Sequence, residues 1–239
     1  MSGKKMKKAY EGVERNKFYG LAEAVKILQT AAKARKFDET IDVSINLGID
    51  TKQPEQNVRG MIELPHGTGA KIRVAAFVKD DKAAEAKKAG ADIVGAEDLG
   101  EKIMKGEINF DRLIATPDMM PLMAKLGLGK VLGPKGLMPN PKLGTVTTDI
   151  TKAVESAKAG SVEYRNEKAG VVQAGVGKAS FDAKKLEENV KAFVAAIQRA
   201  KPAGVKGVYM KKVSISSTMG PGLKLDLSNF SAEAAQKAA

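Results

Sequence analysis

Residues 40–48 read Thr-Ile-Asp-Val-Ser-Ile-Asn-Leu-Gly, a strict alternation of polar and apolar side chains. An extended chain turns successive side chains to opposite faces, so this alternation predicts a strand with one buried face. Just before it, apolar residues recur at helical spacing from about Leu21 to Arg35, which predicts an amphipathic helix. The first part of the chain therefore has amphipathic α+β character.

The character of the sequence changes after the turn Pro-His-Gly-Thr-Gly at residues 65–69. Residues 72–78 are almost continuously apolar, as in a strand that is buried on both faces. Short apolar strands then alternate with helices, as far as a helix that begins near Ile150 and ends at Gly160. This order predicts a small parallel α/β unit.

Alternation returns in the last part of the chain. A hairpin turn, Asn-Glu-Lys-Ala-Gly at residues 166–170, is followed by a long amphipathic helix after Asp182 and by two further strands. Because the flanks are α+β and the middle is α/β, we predict that the middle is an insertion. Residues 1–66 and 160–239 would form one discontinuous domain, and residues 67–159 the inserted α/β domain.

The charge of the chain points to an anionic partner. The sequence has 40 Lys and Arg against 28 Asp and Glu, a formal net charge of +12. The middle segment 67–159 holds 15 basic and 12 acidic residues, so the flanks hold the other 25 and 16 and most of the excess. Nucleic acid is the usual partner of such a chain, because each Lys or Arg near a phosphate releases condensed counterions.

Composition excludes several kinds of site. The chain has no cysteine, which excludes disulfides, thiolate zinc sites, iron–sulfur clusters and cysteine nucleophiles, and favours a reducing compartment. His66 is the only histidine, so multi-histidine metal sites are excluded too. Its place in a turn between the two domains favours a hinge role over a catalytic base. We therefore expect no cofactor, no metal and no catalytic residue.

Two glycine-rich stretches fail as nucleotide-binding loops. Residues 127–130 lack a Ser or Thr after the lysine, and residues 175–178 are followed by Ala179. No G-x-G-x-x-G follows a predicted strand, which argues against a dinucleotide site. The acidic pairs at residues 80–81 and 187–188 are expected at helix starts or on solvated faces rather than around magnesium.

The sequence also suggests where the protein works. Its first residues carry lysines without an apolar run behind them, so we expect no signal peptide. No stretch approaches the ~20 apolar residues that a membrane-spanning helix needs. These observations predict a cytoplasmic protein without a membrane partner, and we expect it to be a monomer when free.

Three surface elements combine unusual residues. Residues 133–146 interleave prolines, glycines and lysines and predict an ordered, non-helical loop, either a structural cover or a binding loop. Residues 216–222, Ser-Ser-Thr-Met-Gly-Pro-Gly, predict a turn whose hydroxyls and amides can donate to RNA, with a plain hairpin as the alternative. Residues 36–40, Lys-Phe-Asp-Glu-Thr, contain Phe37, which either fills the core or stacks on RNA.

In order and spacing, these three elements resemble the universal large-subunit ribosomal protein one family, of bacterial type. The resemblance runs from about Lys7 to Asp226. It implies a split β-α-β domain built from both termini, with an inserted Rossmann-like three-layer α/β domain. It further implies a structural ribosomal protein, not an enzyme, that binds rRNA at the mobile stalk of the large ribosomal subunit. Such a protein assists the release of deacylated tRNA from the exit site and represses translation of its own operon mRNA.

The family's functional positions can be carried over to this sequence. The implied RNA contacts are Lys36, Phe37, Asp38, Thr40, Lys168, Lys212, Thr218, Met219 and Gly220. Some relatives place serine where Lys212 stands, and a lysine there can still reach a phosphate. The implied contacts of the inserted domain with the stalk or with tRNA are Gly133, Pro134, Lys135 and Gly136. We expect the hinge at Gly67, Gly69 and Gly160, because glycine can absorb large φ/ψ changes.

Two other classes of protein are compatible with parts of this pattern. One is a nucleotide-dependent α/β enzyme that acts on RNA through the inserted domain, and the other is a protein-binding adaptor that uses the loop at residues 133–146. The missing phosphate motifs argue against the enzyme. The concentration of positive charge in the flanks argues against the adaptor.

Overall fold

The computed structural model describes residues 4–14, 16–228 and 230, and mixes α-helices with several β-sheets. The chain divides into two compact units. One takes its residues from positions up to 70 and from 162 onward, and we call it the discontinuous unit. The other consists of residues 71–161, and we call it the middle unit.

The helices and strands follow one another along the whole described chain. The α-helices are α1 (Lys4–Ala9), α2 (Leu21–Lys33), α3 (Asp80–Lys88), α4 (Glu97–Met104), α5 (Met120–Lys125), α6 (Gly129–Leu132), α7 (Ile150–Ala159) and α8 (Ala183–Arg199). The strands are β1 (Phe18–Tyr19), β2 (Thr40–Leu47), β3 (Arg59–Glu63), β4 (Val74–Phe77), β5 (Ile93–Gly95), β6 (Arg112–Ala115), β7 (Ser161–Arg165), β8 (Val171–Lys178), β9 (Met210–Ser217) and β10 (Gly222–Leu225). Among the described residues, none of these helices is long and apolar enough to cross a membrane.

The discontinuous unit is built on a five-stranded sheet with the order β1-β10-β9-β2-β8. Strand β2 pairs antiparallel with β9 on one side and β8 on the other, and Ser44 lies opposite both Ser214 and Gln173. Burial alternates along β2, which confirms the strand that the alternation predicts. Its apolar side chains share one core with α2 and α8, so the opposite face of the sheet is left polar.

The middle unit contains a three-stranded parallel sheet with the order β5-β4-β6. Strand β4 is buried along its whole length. Val74 and Ala76 belong to an apolar cluster with α3 and α7, while Ala75 and Phe77 belong to a second cluster with α4, α5 and α6. This placement between two helical layers explains why residues 72–78 are almost continuously apolar.

Some elements differ from the sequence-based expectation. Helix α2 ends at Lys33 rather than at Arg35, because Ala34 caps it and Arg35 N donates to Ala32 O. Strand β3, which pairs with β7 in a separate two-stranded sheet, was not predicted. Its burial does not alternate, so it gives no period of two to recognise. The acidic pair at residues 80–81 does begin α3, but its side chains lie outside the described part of the structure.

Candidate nucleic-acid interface

The segment between α2 and β2, residues 36–40, forms the first part of the candidate site, and we call it the first junction. Lys36, Phe37 and Asp38 are exposed, with 53% of Phe37 accessible to solvent. Phe37 therefore does not fill the core. The Asp38 carboxylate accepts hydrogen bonds from Ser180 N at 3.1 Å and from Ser180 Oγ at 2.7 Å. These bonds tie the junction to the chain after β8 while a cation and a ring stay at the surface.

Strands β9 and β10 are joined by a tight turn, residues 217–221, which we call the 218 turn. Thr218 and Met219 are exposed, and 47% of Met219 is accessible. Gly220 N donates to Ser217 O at 3.1 Å and closes the turn. A Cβ at Gly220 would collide with Ser217 Oγ, so any larger residue there would displace that hydroxyl. The 218 turn thus presents a hydroxyl and a thioether on a compact backbone.

The structure brings the first junction and the 218 turn together. Thr218 N donates to Thr40 O at 3.1 Å, and Thr40 N donates to Thr218 Oγ1 at 3.0 Å. The backbone bond extends the antiparallel pairing of β2 and β9 by one residue past the end of β9, and the Thr218 hydroxyl adds a side-chain bond there. The Thr218 hydroxyl therefore has a structural partner in the free protein as well as an exposed position.

Sequence reasoning missed two residues beside this pair of elements. Arg35 Nη2 donates to Met219 O at 2.9 Å, and Arg35 Nε lies 3.4 Å from Glu39 Oε1. Glu39 is only 1% exposed. The alternation along β2 could have identified Glu39. Odd-numbered residues of β2 face the core, and Glu39 continues that series one step before the strand. A carboxylate on the core side needs a cation, and Arg35 stands four positions earlier.

Lys168 and Lys212 lie toward the opposite end of the sheet. Lys212 pairs with Asn46 across the ladder between β9 and β2. Lys168 is exposed in the turn between β7 and β8, where Thr51 Oγ1 donates to Lys168 O at 2.7 Å. At about 3.3 Å per residue, the length of β2 separates Thr40 from this end by roughly 23 Å. These lysines are therefore not part of the cluster at the 218 turn.

The open face of the five-stranded sheet connects the two ends, and we call it the sheet face. It carries the side chains that alternate with the buried ones on β2 and on its two neighbours, β8 and β9: Thr40, Asp42, Ser44, Asn46, Gln173, Lys178, Lys212, Ser214 and Ser216. Lys178 Nζ donates to Thr40 Oγ1 at 2.9 Å. Burial raises the pKa of the Asp42 carboxyl, and the nearby Lys178 ammonium partly opposes this shift.

The loop at residues 133–146 belongs to the middle unit, and we call it the proline-glycine loop. Its residues Gly133, Pro134, Lys135 and Gly136 are exposed. Gly136 N donates to Gly133 O and Leu137 N to Leu132 O, both at 3.0 Å. Farther along, Asn140 N donates to Thr145 Oγ1 at 2.8 Å. The exposed tip is thus closed by short-range bonds, while the end of the loop is joined to β6, where Ala115 N donates to Thr145 O at 2.9 Å.

The expected hinge glycines have left-handed backbone angles. Gly67 and Gly69 have φ values of 64° and 70°, and Gly160 ends α7 with a φ of 102°. Asn189 on α8 holds the first of these segments, because Asn189 Nδ2 donates to Gly67 O at 2.9 Å and His66 N donates to Asn189 Oδ1 at 3.1 Å. The His66 ring contacts the Glu188 carboxylate. The first crossing is therefore fastened to α8 through residue 67.

Comparison with known families adds to this geometry. The model of a family described as the Ribosomal protein L1p/L10e family matches residues 28–221, well over half of the chain. The match includes the first junction, the proline-glycine loop and the 218 turn. Proteins of this family are structural and bind rRNA in the large ribosomal subunit, so the alternative of a nucleotide-dependent enzyme is wrong. The chain belongs to the Ribosomal protein L1p/L10e family and is a structural, rRNA-binding protein of the large subunit of the cytoplasmic ribosome.

Proposed function

We propose that the discontinuous unit holds the rRNA of the mobile stalk through the first junction and the 218 turn, which act as one surface. The observation that carries this proposal is the pair of hydrogen bonds between Thr40 and Thr218, two residues 178 positions apart in the chain. Phe37 and Met219 are exposed beside that pair and offer apolar faces to a base or a sugar. Lys36 offers a cation to a phosphate.

The proposed RNA surface continues from the 218 turn along the sheet face. Its polar side chains suit sugar hydroxyls and phosphates, and Lys168 and Lys212 supply cations at the far end. The proposed contacts are Lys36, Phe37, Asp38, Thr40, Lys168, Lys212, Thr218, Met219 and Gly220. Most of the net positive charge lies in the flanks that form this unit, which supports the assignment.

The proposal includes a division of labour between two domains. Residues 1–66 and 160–239 form the discontinuous RNA-binding domain, with a split β-α-β architecture, and residues 67–159 form a Rossmann-like inserted domain. The five-stranded sheet and the three-stranded parallel sheet support these two descriptions. The contact boundaries at residues 70 and 162 lie within a few residues of this division.

Amide hydrogen exchange with and without a transcript of the stalk rRNA tests the RNA surface. We expect RNA to slow exchange in residues 36–40 and 217–221 and to leave residues 133–136 unchanged, since the stalk or tRNA contacts proposed for residues 133–136 are made later, as tRNA leaves. Protection confined to the middle unit would contradict the proposal. A transcript of another rRNA region of equal length controls for non-specific phosphate binding.

A second part of the proposal concerns tRNA. The middle unit moves with the stalk as deacylated tRNA leaves the exit site, with Gly133, Pro134, Lys135 and Gly136 meeting the stalk or the tRNA. Gly67, Gly69 and Gly160 form the hinge. Because the chain has no cysteine, two dyes can be placed by the double substitution Lys33→Cys and Lys105→Cys at exposed positions, one in each unit. We expect more than one dye separation, and a single narrow distance under all conditions would contradict the hinge.

The third part is that the protein represses translation of its own operon mRNA. Its basis is that a message resembling the rRNA site would bind the same surface. We expect the leader of that mRNA and the stalk rRNA to compete for the protein, and Thr218→Val to weaken both by the same factor. Simultaneous binding of the two RNAs would contradict a shared surface.

A further inference from the structure

We propose that Arg35 is a positioning residue for the RNA contact and holds the 218 turn in place from within the protein. Together with Glu39 it forms a buried support that fixes the carbonyl of Met219. This inference rests on the proposed function, because it assumes that the 218 turn meets RNA.

Arg35 and Lys36 are adjacent cations that occupy different environments. The Arg35 side chain is only 12% exposed, and its guanidinium donates from Nη2 to Met219 O at 2.9 Å. Lys36 is exposed at the surface of the first junction. Arg35 can reach Met219 because α2 ends at Lys33, which frees the following residues from helical geometry. The fork of the guanidinium then serves two partners at once.

Glu39 explains why the guanidinium stays in this position. Its side chain has no solvent exposure, and neither carboxylate oxygen has a hydrogen-bond partner among the described residues. The Arg35 guanidinium, 3.4 Å away, is the cation that compensates this buried charge. Removal of a charge from water is costly unless it is paired, so the carboxylate holds Arg35 inward. Glu39 O also accepts a bond from Ala179 N at 2.8 Å, which fixes the backbone that carries the carboxylate.

The 218 turn is consequently anchored at two neighbouring residues. Thr218 is bonded to Thr40, and the carbonyl of Met219 is bonded to Arg35, while the side chain of Met219 remains exposed. A surface that is ordered before binding loses less conformational entropy when the partner arrives. The support by Arg35 therefore strengthens RNA binding without direct contact with RNA.

A direct phosphate contact by Arg35 is the competing explanation, and it makes opposite predictions. If Arg35 bound a phosphate, its loss would remove one phosphate contact. The magnitude of the slope of log affinity against log salt concentration would then fall by about 0.7–0.9. The neutral substitution Glu39→Gln would then release the arginine and tighten binding. If Arg35 is a positioning residue, Glu39→Gln weakens binding and the salt slope stays the same.

The experiment compares full-length variants in filter-binding titrations with a stalk rRNA transcript over a series of salt concentrations. We expect Arg35→Gln to weaken binding about tenfold at every salt concentration, the size expected for one charge-assisted hydrogen bond. Arg35→Lys keeps the charge but loses the fork, so it should weaken binding nearly as much. The matched control is Lys33→Gln, which removes an exposed charge two residues earlier and should leave the affinity close to wild type.

A double-mutant cycle separates positioning from general stabilisation. In a Thr218→Val background the RNA contact of the 218 turn is already impaired. Arg35→Gln should therefore reduce RNA affinity much less there than in the wild type. Independent, additive losses or a reduced salt slope would overturn the proposal. Should Arg35→Gln fail to fold, Arg35→Lys and Glu39→Gln still decide, because wild-type affinity in both also overturns it. If Thr218→Val itself binds normally, the proposed site is wrong, which is a different result.

Discussion

The 218 turn and the proline-glycine loop both present glycine and proline at the surface, but different bonds hold them. The 218 turn is held by Thr40 and Arg35, which come from a segment about 180 residues earlier in the chain. The exposed tip of the proline-glycine loop is closed by the bond from Gly136 to Gly133 and by the one from Leu137 to Leu132. Long-range bonds hold the 218 turn itself against a sheet. In the proline-glycine loop, short-range bonds close the exposed tip, and the long-range bond from Ala115 N on β6 to Thr145 O lies at the far end of the loop, at 2.9 Å.

This difference shows why similar composition does not imply a similar role. A contact that must recognise one RNA geometry benefits from a surface fixed to a rigid sheet. A loop tip held only by bonds to its own neighbours is suited to contacts made later or in more than one arrangement. We therefore expect the free protein to bind rRNA through the 218 turn and not through the proline-glycine loop.

The largest expected effect comes from separating the two units. A chain in which residues 1–70 are joined to 162–239 by a short Gly-Ser linker should bind the stalk rRNA within about tenfold of the full protein. Residues 71–161 alone should bind at least ~100-fold more weakly, because they lack the first junction and the 218 turn. Isothermal titration measures both affinities.

The boundaries at residues 70 and 162 matter for this experiment. They keep Gly67 bonded to Asn189 and so preserve the packing of the first crossing on α8. Circular dichroism should first show that each piece is folded. A loss of more than about a hundredfold on removal of residues 71–161 would make the middle unit a primary RNA contact.

The next effect should follow from Thr218→Val. The substitution removes the acceptor of Thr40 N and a hydroxyl at the proposed RNA contact. We expect rRNA affinity to fall by about 1–3 kcal/mol and the free energy of unfolding to fall by about 1 kcal/mol. Filter binding and urea titration measure the two changes. The matched control is Thr148→Val, an exposed threonine in the middle unit, which should change neither. Unchanged RNA affinity would remove the 218 turn from the site.

Local patterns predicted the main elements of both units. The alternation at residues 40–48 predicted β2, and the apolar run at residues 72–78 predicted the buried strand β4. Each pattern reflects the environment of single side chains along one element, and that information lies within a few residues. The short strand β3 shows no alternating burial and was missed for that reason.

The arrangement of the candidate site could not be read in the same way. The bonds from Thr218 to Thr40 and from Arg35 to Met219 join positions 178 and 184 residues apart, and local periodicity contains no information on such pairs. Helical spacing continues through Arg35, so the pattern placed it on a helix surface. Only the folded chain shows that α2 stops at Lys33 and that Arg35 turns toward the 218 turn.

A substitution of Phe37 tests whether the exposed ring of the first junction stacks on RNA. Its ring is 53% exposed, so Phe37→Ala should cost little stability but about 1–2 kcal/mol of rRNA binding through lost stacking. Phe18 is a matched control in the same unit, because it is 63% exposed and lies on the edge strand β1. Phe18→Ala should leave RNA affinity unchanged. Equal losses in the two variants would show a general effect of surface hydrophobicity.

A smaller effect is expected from single lysines. Lys168→Gln should weaken rRNA binding two- to fivefold near 0.1 M salt and lower the salt slope by about 0.7–0.9, because one phosphate contact is lost. Lys135→Gln, in the proline-glycine loop, should change neither quantity. A reduced salt slope for Lys135→Gln would show that the proline-glycine loop meets the same RNA as the discontinuous unit. It would remove the distinction between that loop and the 218 turn.

The smallest expected effect concerns Asp42, the carboxylate of the sheet face below the 218 turn. Burial raises its pKa above the ordinary 3.8, although Lys178 opposes the shift, so folding favours the protonated form. Its favourable contribution is fully present below the unfolded pKa and is lost as the pH rises from about 3.8 through the folded pKa. Asp42→Asn should therefore gain stability relative to the wild type between pH 3.5 and 7, as ~0.5-unit steps of urea unfolding would show. Asp226→Asn is the control of opposite sign, because hydrogen bonds from Ser228 lower the pKa of Asp226 and its contribution is lost as the pH falls. If the stability of both variants relative to the wild type changes in the same direction as the pH rises, the electrostatics of the sheet face do not control this pH dependence.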